Sequence, residues 1–124
     1  MRFEIDERQP IYWQIVEALI RQIACGEWAP GEKLPSIREV AAAARVNPNT
    51  VARAFQELER TGLVETRRGE GTFVTTDTAA IKACREKTAR EIWAEFLRKM
   101  RELGFTNEEV RRLVAELKEE ENIE

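Results

Sequence analysis

Histidine is absent from this 124-residue chain, and cysteine occurs only twice, at Cys25 and Cys84. The first absence removes the side chain most used as a general base near neutral pH and as a metal ligand. The second leaves no cysteine cluster able to hold zinc. An active site would have to be assembled from carboxylates, and nearly all of these fall on expected solvent faces, where pairing with nearby lysine and arginine is their ordinary role. The two cysteines are far apart and lie in helix-like stretches, so they read as buried free thiols rather than a disulfide or a redox pair. Gly69 and Gly71 lead into another strand-like run instead of a helix, which makes them a poor phosphate loop. An enzyme is therefore the reading these absences disfavour, and no metal or organic cofactor is expected.

A run of about 18 apolar residues, the length that crosses a bilayer, is also missing. The start, Met1-Arg2-Phe3-Glu4-Ile5-Asp6, lacks the apolar stretch of a signal peptide. The chain is expected to stay in the cytoplasm, with no membrane partner. Positive charge is not in excess: 20 Lys and Arg stand against 23 Asp and Glu, a net charge of −3. That total argues against a nucleic-acid partner, which requires clustered cations. The distribution qualifies it, because Glu119, Glu120, Glu121 and Glu124 crowd the end of the chain while Arg45, Arg53, Arg60, Arg67 and Arg68 cluster in the middle.

What is present reads as one ordinary globular domain or a small domain with an appendage, with 43% hydrophobic and 35% charged residues. Pro10 suits the first turn of a helix, and Tyr12, Ile15, Val16, Leu19 and Ile23 recur at helical spacing up to a stop at Gly26. Residues 28–35 hold two prolines and a Pro-Gly pair, which predicts a structured loop. Ser36 and Glu39 match a capping box for a short helix from Ile37 through the alanines at 41–44, small enough for close helix packing. Arg45-Val46 makes the turn. Asn47 then caps a third helix, with Pro48 at its first position and Gly62 at its end. After Gly62 the period changes, and residues 63–67 and 72–75 form a β-hairpin across Arg68-Gly69-Glu70-Gly71.

From about Thr78 the chain turns helical again, with Ile81, Ala89, Ile92, Trp93, Phe96, Leu97, Met100 and Leu103 on an apolar side that ends at Gly104. Thr106 and Glu109 form a second capping box, opening an antiparallel helix striped by Val110, Leu113, Val114 and Leu117. Two such helices cannot enclose a separate core, so their apolar sides call for a partner surface. The predicted fold is mostly α with a small β-hairpin: a winged helix-turn-helix over residues 1–76, then a two-helix C-terminal dimerisation segment over 77–124.

On the third helix, at about 100° per residue, Val51, Ala54, Phe55 and Leu58 fall on one side, while Asn49, Arg53, Gln56 and Arg60 fall on the other. The first set is core. The second suits a major groove, although a solvated face is the plain alternative for the stripe taken alone. Arg67 and Arg68 precede the glycines of the hairpin tip, where a wing approaches a DNA backbone, and Ser36-Ile37-Arg38 adds a cation at the second helix. The order of these three features within one module favours DNA.

Four linked stretches carry a more specific resemblance: Pro10-Ile11-Tyr12-Trp13-Gln14-Ile15; Gly26-Glu27-Trp28-Ala29-Pro30-Gly31-Glu32-Lys33-Leu34-Pro35-Ser36-Ile37-Arg38-Glu39; Val46-Asn47-Pro48-Asn49-Thr50-Val51; and Gly69-Glu70-Gly71-Thr72-Phe73-Val74. Together they resemble the DNA-binding domain of the GntR family of bacterial regulators, over about residues 10–75. The short two-helix end resembles the YtrA-like subfamily, which dimerises through such helices. The resemblance implies a homodimeric transcription regulator, a repressor in the first instance, on near-palindromic double-stranded operator DNA. It also implies DNA contacts at Arg38, Asn47, Asn49, Thr50, Arg68 and Gly69, to which the residue pattern adds Ser36, Arg53 and Arg67. Many members carry arginines where this chain has Pro48 and Ala52, so Arg53 on the outward stripe stands as a displaced cation.

Dimerisation is assigned to Ile92, Trp93, Phe96, Leu97, Met100, Val110, Leu113 and Leu117. Part of that stripe, Trp93, Phe96, Leu97 and Met100, also suits a pocket between protomers, but the sequence identifies no small-molecule effector, and dimer packing is its ordinary use. The competing class is a winged-helix module for protein association, favoured by the acidic total charge; it would not retard DNA at moderate salt.

Overall fold

The computed structural model describes residues 1–121, with side chains through Lys118. Of the terminal acidic residues, Glu124 and the side chains of Glu119, Glu120 and Glu121 lie outside what is described. The elements run α1 (Ile11–Ala24), α2 (Ile37–Ala44), α3 (Pro48–Arg60), β1 (Val64–Arg67), β2 (Gly71–Val74), α4 (Thr78–Glu102) and α5 (Asn107–Glu121). They form two compact units, Met1–Arg85 and Glu86–Glu124.

In the first unit α1 packs chiefly on α3, and α2 on α3. The buried cluster takes Ile15, Val16, Leu19 and Ile23 from α1, Val40, Ala41 and Ala44 from α2, and Val51, Ala54, Phe55 and Leu58 from α3, closed by Leu34, Leu63, Val64 and Val74. This is the i, i+3, i+4 pattern of amphipathic helices, realised three times around one core. Ile81 and Cys84, in the first turns of α4, pack against the same cluster.

Several expectations need adjustment. Pro10 is the residue before α1 rather than within it; its carbonyl accepts from the Gln14 amide. Gln14 also fastens the N-terminal segment, accepting from Asp6 N–H and donating to Asp6 C=O, both at 2.7 Å. Ala42 and Ala43 are exposed, so only half of the alanine run serves helix packing. Cys25 is exposed and Cys84 half-buried, against the expectation of buried thiols. Cys25 lies one residue past α1, where the chain is leaving the core, and its Sγ donates to Gln22 C=O at 3.4 Å.

The loop before α2 does more than turn. Gly31 N–H donates to Val74 C=O, Val74 N–H to Glu32 C=O, and Leu34 N–H to Thr72 C=O, at 2.8–2.9 Å. Residues 31–34 thus lie alongside β2 as a third edge, with an antiparallel bridge between Lys33 and Phe73. The hairpin itself is antiparallel, with Val64 opposite Val74 and Arg67 opposite Gly71.

Both capping boxes form: Ser36 Oγ accepts from Glu39 N–H while Glu39 Oε1 accepts from Ser36 N–H, and Thr106 and Glu109 repeat the exchange. The Thr106 backbone N–H and then its hydroxyl, with Arg112 nearby, hold the Glu109 carboxyl below its ordinary pKa.

The turn between α2 and α3 is closed by Arg45 in the left-handed region at φ 58°, with Val46 N–H reaching back to Ala41 C=O. A β-carbon is disfavoured there by about 1–2 kcal/mol. Arg45→Gly is expected to stabilise the first unit by roughly 0.5–1 kcal/mol, since glycine also has more unfolded freedom to lose, and to raise the thermal midpoint by a few degrees. Thermal denaturation checks this; an unchanged midpoint would mean that the Arg45 side chain offsets its own strain.

In the second unit, Gly104 ends α4 and Phe105 N–H returns to Met100 C=O. Val110 is buried at 2% exposure, whereas Ile92, Trp93 and Phe96 stand 61%, 52% and 37% exposed. The Trp93 and Phe96 rings stack with centroids 5.5 Å apart. Among the described residues no helix is long and apolar enough to cross a membrane.

Candidate nucleic-acid interface

The first unit brings the predicted contact residues to three places: the start of α2, the outer face of α3 and the tip of the hairpin. Ser36 caps α2 and is exposed; its Oγ is occupied by the cap, so its role there is to set the helix start. Arg38 follows in the first turn, exposed. At α3, Asn47 Oδ1 accepts from Asn49 N–H at 2.8 Å, which commits the carbonyl oxygen, and Asn47 is exposed. Asn49 is exposed and Thr50 half-buried.

Along α3 the core side and the outer side separate as the sequence requires. Val51, Ala54 and Leu58 have no exposed surface and Phe55 has 7%, while Asn49, Arg53, Gln56 and Arg60 are all exposed. The two outer arginines differ in their commitments. Arg60 is ion-paired with Glu57 one turn back. Arg53 lays its guanidinium carbon 3.8 Å from the centre of the Tyr12 ring.

The hairpin arginines diverge as well. Arg67 donates from Nη2 and Nε to Glu65 Oε1 at 2.8 and 3.0 Å and lies 4.1 Å over the Phe73 ring, so it braces the sheet. Arg68 and Gly69 form the exposed tip with Glu70, whose N–H closes the turn onto Arg67 C=O. Thr66 Oγ1 donates to Glu59 Oε2 at 3.3 Å, joining the hairpin to α3. Among the described residues, Arg38, Arg53 and Arg68 enter no ion pair. Three unpaired guanidinium groups on the surface of α2, α3 and the wing can meet phosphates or base edges, because each offers a fixed fork of donors.

Two residues of this surface escape sequence reasoning. Tyr12 reads there as one more apolar position of α1; the structure puts its ring against the outer face of α3. Lys33 reads as loop, yet its side chain lies across Gly71, where an added β-carbon would come within 2.6 Å of Lys33 Cε. Both depend on contacts between segments far apart in sequence, which periodicity does not encode. Among the described residues no group of histidine, cysteine or carboxylate side chains is placed to hold a metal ion.

The family model described as bacterial regulatory proteins, gntR family, matches residues 11–74, which is the helix-turn-helix and hairpin just described. Among curated proteins, the chain is 42% identical over 107 residues to the uncharacterized HTH-type transcriptional regulator YhcF of Bacillus subtilis, covering 86% of this chain and 88% of that one. It is 48% identical over 73 residues to the HTH-type transcriptional repressor YtrA of the same organism, covering 57% and 56%. Among solved structures, it is similar to a GntR family transcriptional regulator from Listeria monocytogenes at TM-score 0.82 and 36% identity, over 90% of this chain and 98% of the other. It is also similar to the AraR DNA-binding domain solved in complex with operator ORE1, at TM-score 0.53 and 27% identity, over 60% and 94%.

Proposed function

Because the chain belongs to the GntR family of bacterial regulatory proteins, a non-enzymatic class of transcription regulators with YtrA among its relatives, we propose that it is a cytoplasmic repressor gripping a near-palindromic operator as a homodimer. Residues 1–76 bind the DNA and residues 77–124 hold two copies together. The third helices of the two protomers enter successive major grooves, with half-site centres about one helical turn (~34 Å) apart, and each wing touches the flanking backbone.

The observation that carries this reading is the outer face of α3, where Asn49, Arg53 and Gln56 are exposed on a helix whose opposite side is buried. Arg38, Asn47, Thr50, Arg68 and Gly69 surround that face in sequence with cationic, amide and backbone donors. The similarity to a DNA-binding domain solved with its operator supports the same use. Arg67, tied to Glu65 and Phe73, serves by shaping the wing.

The pairing of copies rests on Ile92, Trp93, Phe96, Leu97, Met100, Leu113 and Leu117, with Val110 as the buried support of the same unit. Ile92, Trp93, Phe96 and Leu117 are exposed and Leu97, Met100 and Leu113 half-buried, and apolar side chains so placed on a unit with so small a core gain stability by covering each other.

The test is a mobility shift and titration on DNA taken from upstream of the gene itself, at several salt concentrations. Arg38→Ala is expected to weaken binding and to reduce the slope of log K against log salt by about one unit, the signature of one lost phosphate contact. Unchanged affinity and slope in that variant would remove Arg38 from the site, and no retardation by the parent protein would remove the regulator reading.

A further inference from the structure

We propose that Tyr12, on the first turn of α1, is a positioning residue for operator recognition, holding the Arg53 guanidinium flat so that its donor edge faces the DNA. This rests on the reading that α3 enters a groove.

The Arg53 guanidinium carbon lies 3.8 Å from the centre of the Tyr12 ring. So short a carbon-to-centroid separation leaves no room for an N–H pointing into the ring, which makes the face of the guanidinium plane the surface in contact. Its five N–H donors lie around the edge of that plane, and among the described residues the arginine side-chain hydrogen bonds and ion pairs belong to other arginines, none to Arg53. The contrast is Arg67, which is stacked on Phe73 at a similar 4.1 Å but has its edge occupied by Glu65 at 2.8 and 3.0 Å. One stack is closed on itself and braces the hairpin. The other fixes a cation and leaves every donor open.

The platform under Arg53 is itself held. Tyr12 sits half-buried at the head of a helix whose Ile15, Val16 and Leu19 are in the core. Next to it, Gln14 ties the N-terminal segment to the start of α1 through Asp6. A free arginine on an exposed helix face samples many rotamers, and a fork already oriented loses less freedom when it meets a phosphate or a base edge. Helix α1, otherwise a core element, thereby takes part in recognition.

A double-mutant cycle tests this, using duplexes selected by the parent protein from a random-sequence library and a duplex from upstream of its own gene. Tyr12→Leu keeps apolar bulk but removes the ring; it is expected to weaken binding about three- to tenfold, the range of an exposed to partly desolvated cation–π contact. Tyr12→Phe keeps the ring and is expected to stay within about twofold of the parent. Arg53→Ala should weaken binding and either lower the salt slope by about one unit, if the fork meets a phosphate, or relax the preference at one base position, if it meets a base edge. Tyr12→Leu should move that same readout, and should cost nothing further in the Arg53→Ala background. Thermal denaturation of each variant confirms that the fold is retained.

Equal losses from Tyr12→Leu with and without Arg53 would overturn the proposal, as would a Tyr12→Phe variant as weak as Tyr12→Leu. If Arg53→Ala binds like the parent while Arg38→Ala does not, the Tyr12 proposal fails and the DNA reading stands. Failure of the parent to bind either kind of duplex ends both.

Discussion

Phe96→Asp is expected to turn the protein into a monomer and to weaken operator binding by about 10²–10⁴, the factor that a second tethered binding module contributes. The side chain is 37% exposed, stacked on Trp93, and beside Ile92, which is 61% exposed. A carboxylate there would be desolvated by any apolar surface laid over it, and two copies would bring two such charges together. The folding of the DNA-binding unit should be untouched, because its buried cluster draws on residues of the first unit alone. Sedimentation gives the mass and circular dichroism the helix content. A folded variant that still sediments as a dimer would show that Phe96 is not at the contact between copies.

Leu58→Ala carries the largest expected loss of stability. Leu58 has no exposed surface and lies in the cluster formed by α1, α2, α3 and the hairpin. Removing its branched end leaves a cavity as well as forfeiting burial, and such substitutions cost about 2–5 kcal/mol. Against a total of about 5–15 kcal/mol for a small domain, that is a large fraction. The urea midpoint should fall accordingly, and operator binding should fall only as far as the folded population does. Gln56→Ala, two residues away on the exposed side, is the control: its stability should stay within about 0.5 kcal/mol of the parent. Should both variants lose similar stability, α3 would not be the two-sided rod described here.

Most of this architecture is legible in the residue order because it is built from local signals. Both capping boxes, the Asn47 cap with Pro48 behind it, and the change of period after Gly62 each act within a few residues and are found where expected. The outward placement of Asn49, Arg53, Gln56 and Arg60 follows from helical geometry alone. What is not legible is how the long cationic side chains are committed. Arg53, Arg60 and Arg67 look alike in sequence, yet one stacks on a tyrosine 41 positions earlier, one pairs within its helix, and one pairs along its own strand while lying over a phenylalanine across the hairpin. The edge made by residues 31–34 was hidden for the same reason, since its partners on β2 lie some 40 positions on and its composition reads as loop.

That lacing has an entropic consequence. A two-stranded hairpin alone is marginal in water and samples many shapes. Here the amides of Gly31, Leu34 and Val74 bind the loop and the wing together before any duplex arrives. The cost of ordering backbone, about 1–2 kcal/mol per residue, is therefore met while the chain folds and would not be subtracted again in the wing contact proposed above.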